Sequence, residues 1–353
     1  MSFYIAVDAG FTNTRVAVVK SGEVIAYATS ATPGRCDKGV DGSNADALQE
    51  RWLCHLVAQV KSQLSSEGAC LGIGISFAGV VSQDGSISKD SAIWGSASEG
   101  IELADLERRL GFPVRVANDV SAACYRYAFD FQYMKDERIS LINIGSGIGA
   151  KTYLRSLDAI LLDSKGRTGE IGLAIVDPGE HALASQTGKF KGALNNYSSG
   201  TGFARFLGVL AQQCPDLYES SLLKRALKMS SISIDEKSGA ALNRINKIAI
   251  KCLNDGDIFV SDALDRSVGW LSIALQHVIL LDSPDRIILC GGFVSSIGPS
   301  YRDRLVAKLV PHLNYLYSEE EIMGMVRLGN NDDLDNLLGI AEFCKKSLSQ
   351  IGE

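Results

Sequence analysis

The chain has 353 residues, 46% of them hydrophobic, so it can bury a large core, and its length suits two domains rather than one. A net charge of −6 argues against nucleic acid or an acidic membrane surface as the main partner. No stretch is long and apolar enough to span a membrane, and MSFYIAVDAG lacks the basic region, apolar core and cleavage site of a signal peptide.

FYIAVDAG, TRVAVVKSG and EVIAYATS read as three strands, with Ser21-Gly22 as a short hairpin turn. From Asn44 to Ser65, leucines and valines at helical spacing predict a helix. LGIGISFAG is a buried strand, LADLERRLG a helix ending at Gly111, and PVRVAND a strand running into the helix VSAACYRYAF. RISLINIGSG, AKTYL and DAILLD continue as strands. Helices follow over 200–213, 236–254 and 257–282, the last rich in Ala, Leu and Ile as a central packing helix is. DRIILCGGFVSS is a strand with a glycine turn, and a helix over 332–349 closes the chain. The eight cysteines form no CxC or CxxC pair, which suits reduced, mostly buried thiols in a cytoplasmic protein.

The two halves echo each other. DAGFTNTR (Asp8–Arg15) and NIGSGIGA (Asn143–Ala150) each end an apolar strand with a polar residue, a glycine turn and another strand. A duplicated α/β domain with a cleft between the copies follows. Glycine turns of this kind present backbone N–H groups in a concave arc suited to phosphate oxygens. Gly10, Thr12 and Asn13 would supply the first arc, and Gly145, Ser146, Gly147 and Gly149 the second. Asp8 could hold Mg²⁺ directly or through water. Taken singly, each turn reads more readily as ordinary chain reversal, and Asn118-Asp119 as a helix N-cap. A carboxylate at the carboxyl end of a strand is also where a general base would sit. No GxxxxGK[ST] occurs, and IGSGIGA does not match a dinucleotide fingerprint.

In order along the chain, DAGFTNTR, ISFAGVV, WGSASEGIELADLERRLGFPVRVANDVSAAC, INIGSGIGA, GRTGEIG and the long helix with ILCGGFVSS resemble the ROK family of sugar kinases, within the actin-like ATPase superfamily. The resemblance implies an α/β fold of two actin-like (ribonuclease H-like) domains around a ligand cleft. The expected domains are 1–117, completed by the helix of about 332–353, and 118–331. It implies an ATP-dependent kinase with Mg²⁺ and a sugar-like substrate, Asp119 as the base, and Gly79, Asn118, Glu170 and Asn195 against the substrate. Adenosine would lie against Gly291 and Gly292. A family-typical homodimer is expected. The family's repressors carry an N-terminal helix-turn-helix, for which a strand starting near Phe3 leaves no room.

Three departures stand out. Leu173 occupies the place of the family's histidine after GEIG. HALASQTGKFKGALNNYSSG contains none of the zinc cysteines, so no zinc is expected and His181 reads as a loop residue. Asn195 replaces a glutamate. Together these changes point to a modified sugar, amino sugar or cyclitol as substrate. The lysine of the first turn is also missing; Arg15 either compensates or faces outward. A catalytically silent binding or sensor protein is the competing reading.

Overall fold

A computed structural model describes residues 2–35, 44–64, 68–185 and 188–350. The chain divides into two compact units: Met1–Glu137 with Lys151–Thr168 and Asp332–Glu353, and Arg138–Ala150 with Gly169–Asn331. The C-terminal segment completes the first unit, which also takes in the helix after Asn118 and residues 151–168, beyond the expected boundary at 117.

In the first unit β1 (Ser2–Ala9), β2 (Asn13–Lys20) and β3 (Glu23–Ala31) form an antiparallel meander. Ser21 and Gly22 both have positive φ, 54° and 81°, as the tightest hairpin turns require. Next come α1 (Ala45–Gln63) and β4 (Ala69–Phe77), which lies parallel to β1. A two-residue ribbon, β5 (Asp90–Ser91) with β6 (Gly95–Ser96), precedes α2 (Leu103–Leu110), β7 (Val114–Asn118) and α3 (Asp119–Ala128). Asn44 caps α1, and Gly111 ends α2 in the left-handed conformation at φ 76°. The sheet order is β3-β2-β1-β4-β7.

Strand alternation sorts the side chains of β1 and β2 onto two faces. Ile5, Val7, Val16 and Val18 pack with Leu48, Trp52 and Leu56 of α1. Ala6, Ala17 and Val19 pack with Ala122 of α3 and with Leu337 and Ile340 of α13 (Asp335–Ser349). Small residues on this second face let the helices approach closely. A Cβ on Gly339 would lie 1.8 Å from the carbonyl oxygen of Ala122. Gly339→Ala therefore sets a helix-propensity gain of about 1 kcal/mol against an overpacking cost of about 1–3 kcal/mol or more. Because the obstructing atom is backbone, the cost should win. The expected result is a melting temperature several degrees lower; a rise would contradict this close packing of α13 on α3.

The second sheet repeats the plan with β8 (Arg138–Ile144), β9 (Ile148–Leu154), β10 (Ala159–Ile160), β11 (Arg286–Cys290) and β12 (Val326–Leu328), in the order β10-β9-β8-β11-β12. Strand for strand this is the order of the first sheet, with β8 parallel to β11 as β1 is to β4. The sequence echo thus marks two copies of one fold. Between β10 and β11 lie α4 (Asn195–Ser198), α5 (Gly200–Gln213), α6 (Pro215–Ser220), α7 (Leu222–Met229), α8 (Gly239–Asn254) and α9 (Ile258–Asp282). After β11 come α10 (Gly292–Ile297), α11 (Pro299–Leu313) and α12 (Glu319–Met325).

As expected, α9 is central: Val260, Leu264, Val268, Leu271, Leu275 and Ile279 are buried in the core of this unit. Two expected helices start three residues late. Ser238 rather than Glu236 opens α8, because its hydroxyl accepts from the N–H of Ala241. The final helix begins at Asp335 rather than Asp332, since Asp332 is drawn to Arg126 and Asp333 to Arg15. DAILLD keeps only two ladder residues. The helices α6, α7, α11 and α12 have no counterpart in the sequence reading. Seven cysteines are free thiols; Cys36 lies outside the described residues. No helix among the described residues is long and apolar enough to cross a membrane.

Candidate active site

In the first unit, the turn from β1 to β2 is pinned from three sides. The Gly10 N–H donates to the Asn13 carbonyl at 3.0 Å, and Thr32 donates from its N–H to the carbonyl of Thr12 and from its hydroxyl to that of Gly10. Phe11, Thr12 and Asn13 face solvent. Asp8, just before the turn, is buried and fully engaged. Arg15 donates to its Oδ2 from Nε and Nη2 at 3.1 and 2.7 Å, while Ser76 and Asn336 donate to Oδ1 at 3.3 and 3.0 Å. Arg15 therefore does not point outward, and its other arm reaches Asp333 at 2.7 Å.

A carboxylate offers about four lone-pair sites, and four donors already point at Asp8. The arrangement does not fit Asp8 as a direct Mg²⁺ ligand. Among the described residues, no three His, Cys, Asp or Glu side chains come together as a metal cluster.

Gly79, Asn118 and Asp119 meet at the carboxyl ends of β4 and β7. Asn118 is the N-cap of α3: its Oδ1 accepts from the Val120 N–H at 3.0 Å, and its Nδ2 donates to the Gly79 carbonyl at 2.9 Å. The cap reading of Asn118 is thus correct. Its amide also hydrogen-bonds the Asp119 carboxylate. Asp119 opens the helix, with Oδ1 also accepting from Val120 at 3.0 Å. Burial pushes its carboxyl up to about 6; the Val120 N–H opposes the shift and the negative charge of Asp8 adds to it. A carboxylate titrating there is suited to proton transfer near neutral pH.

In the second unit, the β8–β9 turn closes through the Gly145 N–H to the Gly147 carbonyl at 2.9 Å. The Gly200 N–H donates to the Gly145 carbonyl at 2.7 Å, docking the start of α5 on the turn. Ser146 and Gly147 are exposed, and Gly149 lies inside β9. After β11, Gly291 adopts φ 99° and passes so close to β8 that a Cβ would lie 2.3 Å from Asn143 Oδ1.

These turns open into one cavity of about 630 Å³, lined by Gly145, Ser146, Gly200 and Gly292 together with Asn243, Asn246, Lys247 and Ile250 of α8 and Phe293 and Ser296 of α10. Sequence reasoning missed the α8 wall. The signal was a helical stripe at i, i+3, i+4 and i+7, which only the neighbouring glycine turn makes meaningful. Asn246 donates to the Gly200 carbonyl, yet its Oδ1 is buried without a partner.

Glu170 is exposed at the start of a short 3₁₀ turn (Ile171–Leu173); its carbonyl accepts from the Leu173 N–H at 3.0 Å, and its carboxylate has no hydrogen-bond or ionic partner among the described residues. Leu173, 47% exposed, follows it. Asn195, expected against substrate, turns inward: its Oδ1 accepts from the Ile148 N–H at 2.7 Å, fixing the end of the β8–β9 turn. Gly172 packs on that amide so tightly that a Cβ would lie 2.5 Å from it. Tyr197 organises the following loop. Its hydroxyl donates to Asp177 Oδ2 and accepts from the Leu183 N–H, both at 2.6 Å.

The chain belongs to the ROK family. The family match covers residues 4–346. It is 28% identical to a C(7)-cyclitol 7-kinase of Streptomyces hygroscopicus, over 98% of this chain and 94% of that protein. Its fold is similar to that of a ROK hexokinase from Thermus thermophilus (TM-score 0.71, 17% identity, 99% of both chains). A ROK family glucokinase from Streptomyces griseus, solved with glucose and AMPPNP, is similarly close (TM-score 0.70, 21% identity, 98% of this chain and 99% of that one). The fold is the two-domain actin-like one.

Proposed function

We propose that this protein is an ATP-dependent kinase that phosphorylates a hydroxyl of a sugar-like polyol, with a cyclitol as the acceptor class. The observation that carries the reading is the cavity in which Gly145, Ser146 and Gly292, from two separate glycine turns, line one space with an unsatisfied Asn246. ATP would lie there, its base toward α8 and Gly292 and its phosphates toward the turn at Gly145–Gly147. Gly147, Gly149 and Gly291 shape the turns rather than line the cavity.

Asp119 takes the proton of the attacking hydroxyl. The side chains of Asn118 and Glu170 hold other hydroxyls. Phosphoryl transfer needs little beyond this positioning and charge stabilisation. A divalent cation accompanies the nucleotide and neutralises phosphate charge; Asp8 keeps the first turn in shape. Use of ATP suits a cytoplasmic protein.

The relative's cyclitol activity supports the acceptor class, as does Leu173, an exposed apolar side chain three residues after Glu170. It tolerates an acceptor without a polar group on that side. The test is ADP release across hexoses, amino sugars and cyclitols. Cyclitols should give the highest kcat/KM. Glucose or N-acetylmannosamine winning by a wide margin would overturn the acceptor class, and no stimulation by any acceptor would overturn the kinase.

A further inference from the structure

The second unit holds another cavity, of about 510 Å³, that shares no lining residue with the one at the glycine turns. Its size lies within the range of small-molecule sites, roughly 300–1,000 Å³. Leu183, Tyr197, Phe206, Leu210 and Trp270 give it an apolar, aromatic floor. Tyr197 lies 5.1 Å from Trp270 and 5.5 Å from Phe206 between ring centroids.

Basic side chains surround this floor: His181, Arg266, Lys308 and His312. Arg266 is paired with Asp262 at 2.9 Å, whereas exposed Lys308 has no partner among the described residues. The one acid in the lining, Asp177, already accepts from the Tyr197 hydroxyl. Charge and surface together select a flat apolar ring carrying an anionic group.

We propose that this cavity is an effector site for an aromatic organic anion. The floor and the phosphate turn are joined by one short helix. Tyr197 and Asn195 both lie on α4, and Asn195 holds the Ile148 N–H next to the turn at 2.7 Å. Ser267 of α9 locks the same helix, donating to the Tyr197 carbonyl at 3.0 Å and accepting from Ser198 at 2.7 Å. An occupant pressing on Tyr197 therefore bears on the phosphate turn through a single rigid piece.

The probe is 8-anilinonaphthalene-1-sulfonate, with the uncharged N-phenyl-1-naphthylamine as its control. Trp270 lines the cavity, so its energy transfer to the bound probe reports on this site. One saturable site is expected, about tenfold tighter for the anion than for the neutral compound. Trp270→Phe should reduce the energy transfer and keep the binding. Lys308→Glu with His312→Glu should weaken binding of the anion by about tenfold. Equal affinity for the two compounds, unchanged binding by the double variant, or full displacement by ATP would overturn the site.

The coupling arm rests on the kinase reading. Saturating probe should shift KM for ATP by about fivefold in the wild type and not in the double variant. An unchanged KM in an active enzyme overturns the coupling, whereas the binding measurements stand without any turnover.

Discussion

Replacing Asp119 by asparagine should lower kcat by about 10²–10⁴-fold while making the folded protein more stable at neutral pH. The two effects share one cause. The carboxyl titrates at about 6 in the fold against 3.8 ordinarily, because burial and the charge of Asp8 disfavour its ionised form. The folded chain thus holds the proton more tightly than the unfolded one. Stability from this group is fully present below about pH 4 and is lost as pH rises through about 6, at a cost of up to about 3 kcal/mol by pH 7. Proximity to the N-terminus of α3 favours the charge by only about 0.3–1 kcal/mol, so burial dominates. Asparagine keeps an acceptor for the Val120 N–H and carries no charge.

The expected readouts are a melting temperature raised by a few degrees at pH 7 and a loss of turnover that substrate does not rescue. In the wild type, kcat/KM should climb with pH through about 6. Intact turnover in the variant would rule out Asp119 as the base. A lower melting temperature would mean that the fold stabilises the charge after all.

Gly291→Ala should damage both stability and nucleotide binding. At φ 99° and ψ 151° the backbone lies in a region that essentially only glycine occupies, and a side chain there costs about 1–3 kcal/mol before any contact is counted. The added Cβ would lie 2.3 Å from Asn143 Oδ1 and 2.7 Å from the Ile144 carbonyl oxygen. Those residues lead directly into Gly145, so relief of the clash moves the turn. A loss of about 3 kcal/mol or more is expected, with KM for ATP raised by about tenfold or more. Gly292→Ala is the matching control, since a Cβ there meets nothing within 4 Å. It should melt close to the wild type. If Gly291→Ala melts as the wild type does and keeps its KM, the close approach of Gly291 to the end of β8 is wrong.

Much of this architecture was legible in the chain because it is local. Apolar runs ending in Asp8-Ala9-Gly10 and Asn143-Ile144-Gly145 announce two strands with glycine turns, and the two sheets do repeat one strand order. Asn44 and Asp257 mark helix starts through their own side chains, and Gly111 a helix end through its own φ. The ordered motifs also sufficed to identify the family.

The direction of individual side chains was not local. Arg15 on β2 faces Asp8 because antiparallel pairing sets the two opposite each other, and its second partner, Asp333, comes from the far end of the chain. Asn195 turned out to brace Ile148, and Asn246 and Lys247 joined the cavity at the glycine turns without any motif of their own. The sequence alone determined the class of fold, the positions of the glycine turns and the carboxylate at Asp119. Tertiary structure decided which polar groups stay free for a ligand. Spacing along the chain sets local conformation, but whether a buried donor or acceptor is already satisfied depends on groups that only folding brings within 3 Å.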